Sequence, residues 1–373
     1  MEQSVSGSVT WTPESAQIMR LAEQAVRAAR GGQLATGIAL GREAHRRAVL
    51  LDAPDIRLKT LTTLAQCQAA QGNYIQAVAA AMDGYDLARQ LNDSRGVADV
   101  LVTIAGANSI ALGTLEESLS ILNFCRAAAC RARDLDLEVR ALNLSGVVLG
   151  NLKRFDDADT CLRSAMKIAS DNHCITPASL VAGNLAGLLV KRARTVGAFA
   201  FIEVCATAEK ITQQALAMGE REGNSLTQAR MMFNLGDLCM LRHDVDNASR
   251  NYRAALLLAS ASGNKPLAIY ALTAVAAIEA GEGRFDIAIE KLQRAFEHAD
   301  ADRPTTLTAD IGAELAAIHD KLGNCADAQY WRELRRKEVA QYERESANAR
   351  RQLQIFWAQV CKPEFAEATE VFA

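Results

Sequence analysis

The stretch Asn143-Leu144-Ser145-Gly146-Val147-Val148-Leu149-Gly150-Asn151-Leu152-Lys153-Arg154-Phe155-Asp156-Asp157-Ala158-Asp159-Thr160-Cys161-Leu162-Arg163-Ser164-Ala165 decides how the whole chain is read. Apolar residues lie three and four apart on both sides of Lys153-Arg154-Phe155, the period of an amphipathic helix. Gly146, Ala158 and Ala165 put small side chains on those stripes, which lets two antiparallel helices approach closely. The unit is a helix hairpin, A then B, reversing at a short turn.

Outward from there the same hairpin recurs. Turns of the same kind stand at Gly32-Gln33-Leu34, Gly72-Asn73-Tyr74, Gly113-Thr114-Leu115, His243-Asp244-Val245, Gly283-Arg284-Phe285 and Gly323-Asn324-Cys325. The spacing is about 40 residues, except for one gap of roughly 90 that holds a further unit marked by Ala208 and Ala215. Small residues follow each turn at Gly37, Ala77, Ser118, Ala248, Ala288 and Ala328, and precede it at Ala65, Gly106, Gly187, Gly236, Ala276 and Ala316. The phrases Asn184-Leu185-Ala186-Gly187 and Asn234-Leu235-Gly236 repeat the opening of the first stretch. Seven units in phase and an eighth inside the gap predict an all-α chain built as an α-solenoid of about eight antiparallel hairpins.

Composition agrees. Of 373 residues 50% are hydrophobic and only 5% aromatic, with six prolines, so helices are favoured over sheets and disorder is disfavoured. Forty-one basic against 44 acidic residues leave a net charge of −3, with no bias toward nucleic acid. No apolar run approaches the roughly 18–20 residues of a membrane span, and the first residues do not read as a secretory signal. Nine cysteines without a C-x-x-C pair predict neither a disulfide framework nor a zinc site. A reduced, cytoplasmic setting is the expectation. Five histidines scattered over different units, and the absence of nucleophile-elbow and phosphate-loop motifs, predict no enzyme, no metal and no cofactor.

The Leu-Gly, aromatic and Ala positions resemble the tetratricopeptide repeat. The long period is similar to the roughly 40-residue subtype of bacterial peptide-responsive regulators, kinesin light chains and Leu-Gly-Asn-rich scaffolds. The resemblance covers about residues 15–330, between a tail at 1–14 and a charged helix at 331–360 followed by a tail at 361–373. It departs in lacking the proline that often closes helix B, with Asn92-Asp93, Asp171-Asn172, Gly223-Asn224 and Gly263-Asn264 standing between units instead. The resemblance implies a superhelix whose A helices line a concave groove.

Helical period places Lys59, Arg140 and Arg230, Thr62, Thr103, Asn143 and Asn184, then Asn234 and Asp237, on the groove face of helix A. Asparagine is poorly suited to a helix interior unless its amide is used, and it donates and accepts at once. The resemblance implies that Asn143, Asn184 and Asn234 hold the backbone of a bound peptide. The alternative is that these amides bond within or between helices. Lys59, Arg140 and Arg230 are candidates to meet ligand carboxylates, or are solvated.

Two segments break the register. Lys191 to Ile202 carries a basic run and an apolar patch with Phe199 and Phe201; either it lengthens helices A and B of the fifth unit or it projects as a loop. From Trp331 onward a charged segment should continue the last B helix to about Val360, before Pro363, either as a cap on the last repeat or as a homodimer seam. Its composition is also similar to helices joining such arrays to diguanylate cyclase output domains. The expected partner is a protein or peptide segment, with no nucleic acid and no membrane. The alternatives are a sensory arm of a bacterial signalling system or a self-associating scaffold. Phosphatase activity, as in some peptide-controlled regulators, would need an N-terminal bundle for which the repeats leave no room.

Overall fold

A computed structural model describes residues 12–360 apart from 31–32, 72, 112–114, 173, 175 and 301–305, and apart from a few side chains that include Trp357 and Val360. Gly32, Gly72, Gly113, Thr114, His173, Cys361 and Pro363 of the sequence reading therefore lie outside the described residues. Sixteen helices follow one another among the described residues. They pair as α1 (Pro13–Arg30) with α2 (Leu34–Leu50), α3 (Pro54–Gln71) with α4 (Tyr74–Gln90), α5 (Ser94–Ala111) with α6 (Leu115–Ala132), and α7 (Leu135–Asn151) with α8 (Phe155–Asn172). The series continues with α9 (Ala178–Ala193) and α10 (Ala198–Arg221), α11 (Ser225–Leu241) and α12 (Val245–Ser262), α13 (Lys265–Gly281) and α14 (Phe285–Asp300), and α15 (Thr306–Lys321) and α16 (Cys325–Val360). These are the eight hairpins of an α-solenoid.

The repeat marks have physical causes. A Cβ on Gly146 would stand 2.5 Å from Leu162, and one on Gly236 would stand 2.5 Å from the Tyr252 ring, so glycine lets α7 meet α8 and α11 meet α12. The first residue of four A-to-B turns is left-handed, at Lys153 and His243 as well as at Gly283 and Gly323. Asp93, Asp134, Asn224, Asp244 and Asn264 then accept a backbone N–H three residues on, capping the helix that follows.

Each odd helix from α1 to α11 also touches the next odd one, whereas the even helices pack extensively only on their chain neighbours. The A helices therefore occupy the short-radius, inner side. Core clusters run along the whole stack between the layers, the largest being around Leu101, Ile104 and Leu122.

Of the two helices of the fifth unit only α10 is lengthened, to 24 residues, while α9 keeps 16. Its added turns leave Phe199 and Ile202 exposed and tuck Phe201 against the core. The basic run is tied to neighbouring units: Lys191 Nζ donates to Asn151 Oδ1 at 2.8 Å, Arg192 pairs with Asp156 at 2.9 Å and Arg194 with Asp237 at 2.6 Å.

The last helix does more than cover the last repeat. Trp331 and Leu334 join the cluster of the seventh and eighth units, but Ala349, Leu353 and Phe356 join the cluster of units two to four. The Phe356 ring meets Tyr85 of α4 edge-on at 4.8 Å. At about 1.5 Å per residue, a helix of 36 residues is long enough to reach back along a tightly wound array. Leu353 and Phe356, which a dimer seam would use, are thus buried within their own chain.

Candidate functional site

The inner side is not an open trough. A cavity of about 250 Å³ is lined at once by Val26 and Ala29 of α1, Thr103 of α5, Asn143 of α7, Leu180 of α9 and Leu226 of α11. Units one and six thus face each other across it. A second cavity of about 430 Å³ adjoins the N-terminal ends of α3, α5 and α7, with Lys59, Thr62 and Arg140 among its walls.

Each predicted groove residue has a definite place. Lys59 is exposed at the rim of the second cavity. Thr62 is buried and its hydroxyl donates to the Leu58 carbonyl at 2.9 Å. Thr103 donates to the Asp99 carbonyl at 3.2 Å and accepts from Arg140 Nη2 at 3.3 Å. Arg140 Nη1 is paired with the Asp99 carboxylate, which also accepts from Gln66 Nε2 at 3.3 Å. Burial opposes the charge of Arg140, but Asp99 outweighs it and holds the guanidinium above its ordinary value.

The asparagines bond across helices. Asn184 Nδ2 donates to Asn143 Oδ1 at 2.8 Å, and Arg230 Nη1 donates to Asn184 Oδ1 at 2.7 Å. A directed chain therefore runs from α11 through α9 to α7. Of the two readings of these amides, the geometry here is the inter-helix one for Asn143 and Asn184. Asn234 differs: it is buried, and its Nδ2 has no hydrogen-bond partner among the described residues. Asp237 turns to helix B, accepting from the Tyr252 hydroxyl at 2.8 Å and pairing with Arg194. Burial nonetheless pushes the Asp237 carboxyl above its usual range, against the pull of Arg194 and Tyr252.

The structure therefore gathers Thr103, Arg140 and Asn143 at one cavity and links Asn184 and Arg230 to it. Lys59 and Thr62 go to the second cavity, and Asp237 serves the packing of α11 on α12. Three contributors were not picked out as site residues in the sequence. Thr176 lines the first cavity, buried, with its hydroxyl unpartnered among the described residues. Leu226 supplies an apolar wall. Tyr74, marked only as a turn residue, reaches the same cavity and lies within electrostatic reach of Arg230 and Tyr270. Burial pushes its hydroxyl up to about 12, with Tyr270 adding to the shift and Arg230 opposing it, so it stays a neutral donor. Nothing local in the sequence brings the second unit to the sixth.

Among the described residues no group of His, Cys, Asp and Glu is arranged to hold a metal ion, and no helix is long and apolar enough to cross a membrane. Cys130, Cys161, Cys174, Cys205, Cys239 and Cys325 are free thiols. His45 Nδ1 lies 3.2 Å from the Thr60 hydroxyl, and burial lowers its basicity.

Two tetratricopeptide repeat models match the chain, at residues 139–172 and 227–301. Comparison with curated proteins gives no match. Among solved structures, a Rap protein complexed with Competence and Sporulation Factor aligns with a TM-score of 0.55 at 12% identity, over 88% of this chain and 99% of that one. The Rap conjugation gene regulator of the plasmid pLS20, in complex with the Phr* peptide, aligns with a TM-score of 0.55 at 12% identity, over 88% and 96%. The apo form of RapI aligns with a TM-score of 0.51 at 11% identity, over 76% and 97%. At such identities the likeness is one of fold. Repeat models in two separate stretches, with helix hairpins following one another between and around them, make this chain a tetratricopeptide repeat protein.

Proposed function

We propose that this chain is a non-catalytic capture protein that holds an extended peptide or protein segment against the inner surface of its A helices. The observation that carries the reading is the first cavity: an apolar chamber walled by α1, α5, α7, α9 and α11, with Asn143, Thr176 and Tyr74 converging on it. Apolar walls with a few placed polar groups are the usual make-up of a binding site. Two of the structures similar in fold are complexes with Competence and Sporulation Factor and with the Phr* peptide, which supports the same use of this fold. Self-association through α16 finds less support, because Leu353 and Phe356 are spent on units two to four.

Blocking the cavity tests this. Ala70 is exposed and lines it; Ser164 is exposed on α8, an outer-layer helix. Immobilised full-length protein is offered a random octapeptide pool, and retained peptides are counted by mass spectrometry. Ala70→Trp should abolish retention while Ser164→Trp leaves it intact. Undiminished retention by the Ala70→Trp protein would refute capture on the inner side.

A further inference from the structure

The stack is tied back on itself by its own last helix. At one end α16 contributes Trp331 and Leu334 to the cluster of the seventh and eighth units, and at the other it contributes Ala349, Leu353 and Phe356 to the cluster of units two to four. Leu353 and Phe356 are only 2% and 6% exposed, and the Phe356 ring stands edge-on to Tyr85 of α4 at 4.8 Å. Ala349, Leu353 and Phe356, four and three residues apart, lie on one face of α16. The tie is narrow, because α16 packs extensively only on α15 and, among the described residues, joins units two to four through that stripe.

A narrow tie has a large lever in this architecture. Each hairpin of a solenoid packs mainly on its neighbours, so the winding is a sum of small angles between units. A contact between the last helix and units two to four closes the series into a loop, and one joint of a closed loop cannot turn without straining the others. The inner face depends on that winding. Val26 and Ala29 of unit one stand across the first cavity from Leu226 of unit six, and these two units share neither a hairpin nor a turn. The joints between them set the width of the cavity, and those from unit four to unit six lie inside the loop that α16 closes.

We propose that the end of α16 is a clasp: seated on units two to four it holds the array wound, and released it lets unit six draw away from unit one and opens the inner face. The inference concerns access to that face and does not depend on what binds there. Leu353 and Phe356 supply the closing force by leaving water, so the clasp answers to anything that competes for their apolar stripe or sets a charge into its seat. A ligand that touches units one and six together favours the same wound state, so clasp and ligand strengthen each other by linkage.

Pulsed spin-label distance measurements on the full-length chain test this. Nitroxide-bearing amino acids are incorporated at Leu50 of α2 and Leu257 of α12, exposed positions on the outer helices of units one and six, which leaves the native cysteines untouched. Phe356→Asp, which sets a carboxylate against Tyr85, should lengthen the distance between the labels by at least roughly 5 Å, the pitch of one helical turn, with helix content unchanged. If that protein does not fold, Phe356→Ala, which removes the ring and adds no charge, takes its place and should show the lengthened distance alongside the wild-type one. Ile355→Asp, on the exposed side of the same turn, should keep the wild-type distance. An unchanged distance in the folded Phe356 variant, or an equal lengthening in Ile355→Asp, would overturn the clasp.

Discussion

Arg140 and Arg230 occupy the same position of the repeat, on the inner faces of the fourth and sixth units, yet the fold treats them in opposite ways. Arg140 is closed into a pair with Asp99 from the preceding A helix and is held by Thr103 as well. Arg230 meets only the carbonyl oxygen of Asn184. One repeat position can thus serve the stack in one unit and remain available in another. What separates them is the residue that the neighbouring helix presents, a carboxylate from α5 or an amide from α9.

The comparison breaks most visibly at Asp99. Asp99→Asn leaves the Arg140 guanidinium buried without its counter-charge and should cost about 3 kcal/mol of stability, measured by urea denaturation. A loss below about 0.5 kcal/mol would mean that Arg140 does not differ from Arg230 in kind.

The small positions of the fourth and fifth units sharpen it next. Gly146→Ala drives a methyl into Leu162 and should destabilise by about 1–3 kcal/mol. Gly187→Ala meets nothing closer than Asn234 Nδ2 at 3.9 Å and should instead stabilise by up to about 1 kcal/mol, through helix propensity. Its methyl also stands beside the open donor, so peptide retention should fall although stability rises. Equal melting temperatures for the two variants would remove the distinction between a tight contact of helix A on helix B at Gly146 and open space at Gly187.

Arg230→Gln comes third. It keeps a donor for Asn184 and removes an uncompensated charge, so stability should stay level or rise by up to about 1 kcal/mol, the reverse of Asp99→Asn, in the same denaturation assay.

The smallest effect concerns Asp237, the other charged residue of the sixth unit's inner helix. Its carboxyl is raised on folding by burial. Its contribution to stability is therefore complete below the ordinary value of 3.8 and is lost as pH rises through the higher folded value. Melting curves of wild type and Asp237→Asn should nearly coincide at low pH and diverge in favour of the variant as pH is raised toward 7. A gap that closes with rising pH would show that Arg194 and Tyr252 outweigh burial.

Much of the fold could be read from the chain because a repeat states the same physical requirement many times. Gly146 and Gly236 are needed for close helix approach, and their recurrence sets the register without any knowledge of the whole. Helical period also aligns Arg140, Asn143, Asn184, Arg230 and Asn234 along one face of successive A helices. Their partners were not legible. Whether Arg140 is paired depends on Asp99 some forty residues earlier, and whether Tyr74 meets Arg230 depends on how tightly the stack winds. Winding is the sum of small inter-unit angles that no single unit encodes, and for the same reason the contact of Phe356 with Tyr85 had no local signal.

The most direct test locates the captured segment itself. A retained octapeptide carrying a photo-reactive group is bound to the full chain and irradiated, and the attached residues are found by tandem mass spectrometry. Attachment to the odd-numbered helices around the first cavity, α5, α7, α9 and α11, is the predicted result. Attachment confined to the even-numbered helices would contradict it.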